Sequence, residues 1–312
     1  MKKNKLQKNK ILVILGPTSS GKTSLAVKLA NKYNGEIISG DSRQVYKGMD
    51  VGTGKDLSEY KVKKLKSNKV IPHHLIDVVN PKEEFNLAKY VKLANKAIED
   101  ILSRGKLPII AGGTGLYLQA LVDNFNLSEV KPDKKLRIKL EKLTIEELFE
   151  KLKKLDKKFA EELNNSERNN KRRLIRHIET KTQNTKHKTQ NIKRNNYDYL
   201  LIGLKVDRGE LNKRIYKRLV DRIEKEGMID EVKKLHNQGV SWKRLENFGL
   251  EYRHVSWYLQ GKIDYEDMVE KLNIAIRQFA KRQMTWFRKW ERSKKINWIK
   301  AKKEAEEIMK KF

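Results

Sequence analysis

Cysteine is absent from the 312 residues of this chain, and proline occurs only five times. The lack of cysteine excludes disulfide bonds, thiolate metal sites and a cysteine nucleophile. No apolar run approaches the roughly 18–20 residues that a membrane span requires. The first ten residues are basic and polar and lead into no signal-peptide core, so we expect a cytoplasmic protein that does not insert into a membrane.

Acidic residues are scarce relative to basic ones. The chain has 71 lysines and arginines against 40 aspartates and glutamates, which gives a formal net charge of +31. This excess is large for an enzyme that handles only small anions, and it predicts a polyanionic partner, of which nucleic acid is the simplest. Periodic apolar segments run through most of the chain, so we expect a folded core.

The most informative stretch is a P-loop, residues 16–23. It lies between the apolar run 11–15 and a helical pattern over 24–30, which is the setting that a phosphate-binding loop requires. Lys22 can place a cation on a terminal phosphate, and the Thr23 hydroxyl can bind Mg²⁺. An ordinary glycine turn is the alternative, but every fixed position of the motif is matched by Gly16, Pro17, Thr18, Ser19, Ser20, Gly21, Lys22 and Thr23.

The arrangement of apolar runs predicts an α/β fold. Buried strands are expected at 11–15, 36–39 and 107–111, with a short strand within 70–79 and another at 199–202, and helical patterns lie between them. We therefore predict a P-loop NTPase-like parallel sheet flanked by helices. The P-loop, Asp41 and residues 112–115 each follow a strand, so we expect them to meet at the carboxyl edge of the sheet.

Residues 123–196 differ in composition and hydrophobic pattern from the rest of the chain. They have few strand patterns and many charges, with helical periodicity over 134–143 and 145–163 and around 174–178. We predict an all-helical insertion domain here, between the two parts of a catalytic core, 1–122 and 197–312. Residues 181–196 are expected to form a mobile basic loop. Within the insertion, Arg172, Arg173 and Arg176 make a basic patch suited to a phosphate backbone.

Several side chains outside the P-loop are candidates for chemistry. Asp41 can accept a proton from an incoming nucleophile, or it can hold Mg²⁺ through water. Asp77 also ends a predicted strand, but we favour a turn role for it. Gln44 can contact an adenine edge or lie in a solvated loop. The adjacent histidines His73 and His74 are expected to face opposite ways, and a metal site there is not expected.

Two groups on later helices have alternative interpretations. Arg214, Arg218 and Arg222 share one helix face, which is either a solvated face or an anion-binding face that can stabilise a departing diphosphate. Aromatic residues of the basic helix 265–290 can stack on bases, but their helical spacing favours a place in the core; they are Trp286, Phe287 and Trp290.

Seven collinear motifs together resemble the bacterial tRNA dimethylallyltransferase family, also known as tRNA isopentenyltransferases, over about residues 10–300. The motifs are the P-loop, 41–50, 72–77, 112–117, 173–176, 214–218 and 277–288. The resemblance implies that dimethylallyl diphosphate, not ATP, occupies the P-loop. It also implies that the acceptor is N6 of the adenosine immediately 3′ of the anticodon, in tRNAs that read codons beginning with U. Diphosphate is released and Mg²⁺ assists.

The same resemblance assigns roles to individual residues. It implies that Asp41 is the base near N6, while Arg218, Thr18 and Lys22 assist the leaving group. The tRNA anticodon stem-loop would be bound by the insertion and by Asp41, Ser42, Arg43, Gln44, Thr114, Arg172, Arg173, Leu174, Ile175 and Arg176. We expect a monomer. A nucleotide kinase, an AMP-directed prenyltransferase and an RNA-binding protein with a relic P-loop are the alternatives, and the net charge disfavours a free nucleotide as acceptor.

Overall fold

The computed structural model describes residues 10–55, 57–63, 68–125, 127, 130, 132–184 and 196–312. The chain forms two compact units. The core unit comprises Met1–Phe125 together with Asn195–Phe312, and the insertion unit comprises Asn126–Arg194.

The core unit contains a sheet of six parallel strands in the order β5-β2-β6-β1-β7-β8. A separate antiparallel pair is made by β3 and β4. This confirms the predicted parallel α/β sheet, with the P-loop strand β1 in its interior. The strands are β1 (Lys10–Leu15), β2 (Gly35–Ser39), β3 (Lys61–Lys63), β4 (Asn68–Val70), β5 (His73–His74), β6 (Leu107–Gly112), β7 (Asp198–Leu204) and β8 (Asn297–Ile299).

Helices flank the sheet of the core unit and make up the insertion unit. Polar N-caps begin many of them; the Asn86 side chain, for example, accepts a hydrogen bond from Lys89 N at the start of the second helix. The described helices are α1 (Lys22–Lys32), α2 (Leu87–Ser103), α3 (Gly115–Val122), α4 (Lys134–Leu140), α5 (Ile145–Leu155), α6 (Lys157–Glu162), α7 (Asn165–Arg168), α8 (Lys171–Asn184), α9 (Arg208–Glu224), α10 (Met228–Asn237), α11 (Trp242–Phe248), α12 (Leu250–Leu259), α13 (Tyr265–Glu291) and α14 (Lys302–Lys311).

The apolar run of β1 is buried on both of its faces. Ile11, Val13 and Leu15 pack in a cluster with residues of α2, α3 and α13. Leu12 and Ile14 point the other way and pack with residues of α1 and α14. Successive side chains of a strand alternate between faces, so a continuous apolar run indicates a strand covered on both sides.

A further apolar cluster of the core unit joins helices α9–α13 to residues 45–49. The aromatic side chains near the end of α13 belong to the sheet cluster instead, because Phe287 and Trp290 are buried against it. Trp286 is half-buried, and its indole N–H donates to Gln119 Oε1 at 3.0 Å. These contacts agree with a core role for the three aromatic residues.

Several predicted boundaries in the insertion were wrong. The predicted helix 145–163 is broken at Asp156, whose extended backbone ends α5 and whose carboxylate caps α6 by accepting from Phe159 N at 3.0 Å. The predicted loop 181–196 begins too early, since residues 181–184 belong to α8. Residues 185–195 lie outside the described part of the chain.

Candidate active site

The P-loop links β1 to α1 and curls tightly between them. Gly21 lies in the left-handed region with φ 87° and forms the N-cap of α1. Lys22 therefore starts the helix, and its Nζ donates back to the Pro17 carbonyl at 2.6 Å. The N-terminus of α1 adds its partial positive charge to that of the ammonium, so the loop is prepared for an anion.

Burial of the Lys22 ammonium lowers its pKa to about 8. Nearby Asp41 opposes the shift by favouring the charged form, and nearby Arg218 adds to it. The start of α1, the turn after β2 and helix α9 thus contribute to a single electrostatic site, in which a lysine is close to both a carboxylate and a guanidinium.

A cavity of about 360 Å³ opens in front of this group. Its lining includes every residue for which the resemblance implied a catalytic role. The predicted residues that line it are Thr18, Ser19, Lys22, Thr23, Asp41, Ser42, Arg43, Gln44, Thr114 and Arg218. An adjoining cavity of about 240 Å³ is lined by Ser19, Ser20, Gly21, Lys22, Thr23, Ser24, Glu59, Arg214 and Arg218. Gly16 and Pro17 shape the loop without lining either cavity.

Hydrogen bonds fix the turn that carries Asp41. Asp41 Oδ1 accepts from Arg43 N at 2.8 Å. Ser42 N donates to Thr114 Oγ1 at 3.2 Å, which ties this turn to the loop after β6. Ser39 Oγ donates to Gln44 Oε1 at 3.0 Å. Since β2, β6 and β1 are neighbours in the sheet, their carboxyl ends meet as predicted.

Gln283 is a site residue that the sequence reasoning missed. Its side chain is 6% exposed and bridges two loops of the site. Gln283 Oε1 accepts from Thr18 N at 2.9 Å, and its Nε2 donates to the Gly113 carbonyl at 2.8 Å. One pattern in the sequence could have revealed it, because Gln283 is a polar residue within the apolar stripe of α13 that includes Ala280 and Phe287.

The three arginines of α9 lie in different environments. Arg214 pairs with Glu210 at 2.8 Å on the surface, which fits a solvated face. Arg218 lines both cavities, and its Nη2 donates to the Gly54 carbonyl at 3.1 Å. Arg222 is 6% exposed and pairs with Glu251 at 3.3 Å. The face that α9 presents to the cavity therefore bears two cations.

The buried pair of Arg222 and Glu251 is held in a desolvated environment. Burial lowers the pKa of Arg222 to about 10, although the charge of Glu251 opposes that shift. Burial likewise raises the pKa of Glu251, and Arg222 opposes it. Both residues line the large cavity, and the mutual neutralisation leaves its other cations for a ligand.

The remaining candidates have structural contacts. His74 Nε2 lies 2.7 Å from Glu36 Oε2, and the ring of His73 packs on Tyr60 with 4.5 Å between the ring centroids. Asp77 accepts a hydrogen bond from the buried Lys55 ammonium. Over the described ranges, no group of three or more His, Asp or Glu side chains is placed to hold a metal ion.

The basic patch of the insertion unit lies on α8. Arg172 and Arg173 are exposed, so their side chains are accessible to a ligand. Leu174 and Ile175 are buried in the apolar cluster of this unit, and their side chains can support α8 but not reach an external partner. Arg176 is engaged within the unit, since it donates to the Val130 carbonyl at 2.8 Å and to Glu179 at 3.2 Å, measured to Oε2.

The fold and the site define a P-loop α/β protein whose cavity combines a phosphate-binding loop with a carboxylate and several cations. None of the helices within the described ranges is long and apolar enough to cross a membrane.

A model of the family described as IPP transferase matches residues 44–290. The chain is 46% identical over 303 residues to "tRNA dimethylallyltransferase 2" of Treponema denticola, covering 94% of this chain and 96% of that protein. It is 45% identical over 297 residues to "tRNA dimethylallyltransferase 1" of Syntrophus aciditrophicus, covering 93% of each. The chain therefore belongs to the IPP transferase family.

Solved structures agree with this assignment. The full-length tRNA isopentenylpyrophosphate transferase of Bacillus halodurans superposes with a TM-score of 0.66 at 37% identity, covering 94% of this chain and 90% of that one. A eukaryotic dimethylallyltransferase acting on tRNA superposes with a TM-score of 0.69 at 30% identity, covering 89% of this chain and 69% of that one.

Proposed function

We propose that this chain transfers the dimethylallyl group of dimethylallyl diphosphate to N6 of the adenosine immediately 3′ of the anticodon in tRNA. The names of its relatives support tRNA and the dimethylallyl group as substrates. The observation that carries the proposal is that Asp41, Lys22 and Arg218 line one cavity. A carboxylate that accepts a proton thus lies near cations that suit a leaving diphosphate.

The reaction needs both kinds of group. The exocyclic amine of adenine is a poor nucleophile, because its lone pair is delocalised into the ring. In the transfer, N6 forms a bond to C1 of the dimethylallyl group while the bond from C1 to the diphosphate oxygen breaks. The electron pair of that bond leaves with diphosphate, and the N6 proton passes to the Asp41 carboxylate.

Leaving-group stabilisation falls to the P-loop side of the cavity. Lys22, Arg218, the Thr18 hydroxyl and the backbone N–H groups of residues 16–23 can bind the diphosphate oxygens in fixed positions. Charge on these oxygens increases as the C–O bond breaks, so the same contacts are stronger in the transition state than in the ground state. The allylic carbon assists because its partial positive charge is delocalised.

Mg²⁺ is part of the proposal. The Thr23 hydroxyl lines the cavity and is an oxygen ligand of the kind that Mg²⁺ prefers. The described residues hold no complete metal cage, which suits an ion that takes most of its ligands from diphosphate and water. When bound, the ion would neutralise negative charge on diphosphate.

The anticodon arm is the part of tRNA that we assign to the insertion unit and to the Asp41 turn. Arg172 and Arg173 suit phosphate contacts, whereas Ser42, Arg43, Gln44 and Thr114 suit contacts with the target nucleotide. The base has to leave the loop stack to reach a cavity, and single-stranded loops allow this at low cost. We further propose that the acceptor tRNAs read codons beginning with U and that the enzyme acts as a monomer.

The decisive experiment mixes the protein with Mg²⁺, labelled dimethylallyl diphosphate and unmodified tRNA. Label should enter tRNA whose anticodon is followed by adenosine, and not a matched tRNA in which that adenosine is replaced by guanosine. Asp41→Ala should abolish turnover while tRNA affinity stays within about threefold, since only the proton acceptor is removed. ATP hydrolysis without labelled tRNA would instead indicate a nucleotide kinase.

A further inference from the structure

Residues 50–55 form a loop that borders the large cavity. Gly52, Thr53 and Gly54 line that cavity, and the Gly54 carbonyl accepts from Arg218. Gly54 has φ 65°, and a Cβ at this position would collide with the guanidinium groups of both Arg218 and Arg222. The course of this loop therefore decides where the Arg218 side chain lies.

A single carboxylate fixes the loop from outside. Glu231, in the first turn of α10, accepts from Asp50 N and Val51 N at 2.7 Å each, through Oε2. Its Oε1 accepts from Gly52 N at 3.0 Å and from the Tyr252 hydroxyl at 2.7 Å. Consecutive backbone N–H groups that converge in this way form an anion-binding nest, which here is filled by the protein itself.

Glu231 is not among the described residues that line the cavity, so its effect on a ligand has to pass through the loop. Two further contacts strengthen this route. Tyr252, which bonds to Glu231, lies against Gly52 and lines the cavity. The buried Lys55 ammonium, at the end of the loop, donates to the Tyr46 carbonyl at 3.1 Å and pairs with Asp50 at 2.5 Å.

We propose that Glu231 is a positioning residue for diphosphate: by holding the N–H groups of residues 50–52, it sets the Gly54 carbonyl and through it the Arg218 guanidinium. The inference rests on the proposed function for the identity of the ligand. A carboxylate is required because four donors meet its two oxygens. The amide of a glutamine would set a donor against at least one N–H group of the loop.

The test measures the affinity for inorganic diphosphate and the kcat of transfer in Glu231→Gln. We expect diphosphate to bind about tenfold more weakly, the cost of misplacing one charge-assisted hydrogen bond, and kcat to fall on the order of ten- to a hundredfold. The Kd of tRNA should stay within about twofold. Glu231→Asp keeps the charge and should recover part of the loss. The matched control is Asp230→Asn, one residue earlier, where an exposed carboxylate is removed and wild-type values are expected.

A double-mutant cycle separates positioning from general loosening of the fold. In an Arg218→Ala background, Glu231→Gln should weaken diphosphate binding by less than about twofold, because the guanidinium through which Glu231 acts is already absent. Equal losses in both backgrounds, or wild-type binding in Glu231→Gln, would overturn the proposal. So would unchanged hydrogen exchange at the amides of residues 50–52. If the wild type binds diphosphate but leaves tRNA unmodified, the proposed function fails while the binding cycle still decides the role of Glu231.

Discussion

The pKa of Lys22 is lowered to about 8 by burial, so we predict that the enzyme loses activity at mildly alkaline pH. Only the protonated ammonium can bind diphosphate oxygens, so affinity should fall as pH rises through this value. With a pKa near 8, the charged fraction drops from about 90% at pH 7 to about 10% at pH 9, and kcat/KM for dimethylallyl diphosphate should fall about tenfold. An ordinary lysine would lose only about 3% of its charge over this interval.

The assay is the initial rate of prenyl transfer at limiting dimethylallyl diphosphate between pH 6.5 and 9.5, roughly the range that brackets this pKa. Lys22→Arg is the control, because the guanidinium stays charged throughout. The variant will be slower, but its profile should lack the alkaline decline, and protonation of the substrate affects both proteins alike. A wild-type profile that is flat to pH 9.5, or one that falls in parallel with that of Lys22→Arg, would refute the reasoning about burial, since about 97% of a lysine with pKa 8 is neutral by then.

Three further predictions concern the buried carboxylate of β2, the glutamine that joins two loops of the site, and the exposed arginines of α8. Burial disfavours the charged form of Glu36, but bonds from Arg104, Lys106 and His74 outweigh it and lower its pKa to about 2, so this stabilisation is complete above about pH 5 and is lost as pH falls toward 2. Glu36→Gln should therefore lower the free energy of unfolding, measured by urea denaturation at pH 7, by about 3 kcal/mol. If variant and wild type lost stability equally as the pH falls, this prediction would be contradicted. Gln283→Ala should weaken diphosphate binding because Thr18 N and the Gly113 carbonyl lose their partner, with titration of inorganic diphosphate as the measurement. Replacing Arg172 and Arg173 by Gln should lower the slope of log K for tRNA against log salt by roughly one per lost phosphate contact, and an unchanged slope would place the RNA elsewhere.

The elements that could be predicted from the sequence are those whose pattern is local. The run that forms β1 is apolar at every position from Ile11 to Leu15, and the glycine loop after it leaves few alternatives. Adjacent parallel strands then bring Asp41 and Thr114 to the P-loop by topology alone. This is why the candidate site could be located before any contact was known.

Elements that depend on distant partners could not be predicted. β8 has only three residues and is ordered by pairing with β7, which no local pattern reveals. The arginines of α9 have identical spacing, yet Arg222 is buried against Glu251 while Arg214 is on the surface, because the loop at Gly54 and the start of α12 cover one end of the face. Glu231 likewise has the sequence appearance of an ordinary acidic residue in a first helical turn.

The distribution of charge around the cavity assigns its chemistry. Arg222 is neutralised by Glu251, whereas the hydrogen-bond partner of Arg218 is the uncharged carbonyl of Gly54 and that of Lys22 is the uncharged carbonyl of Pro17. Carbonyl dipoles orient a cation without cancelling its charge, so Arg218 and Lys22 keep theirs for a ligand.

Asp41 is held in the opposite way, because its carboxylate accepts from the backbone N–H of Arg43 and is oriented without being paired with a side-chain cation in the described part of the chain. A site that only had to bind an anion would gain from having no carboxylate, since Asp41 repels diphosphate. Its presence beside two cations that have no carboxylate partner among the described residues fits the proposed reaction, in which a proton and a diphosphate leave the reacting atoms in different directions. Proton acceptance and diphosphate stabilisation can then act in the same transition state without neutralising each other.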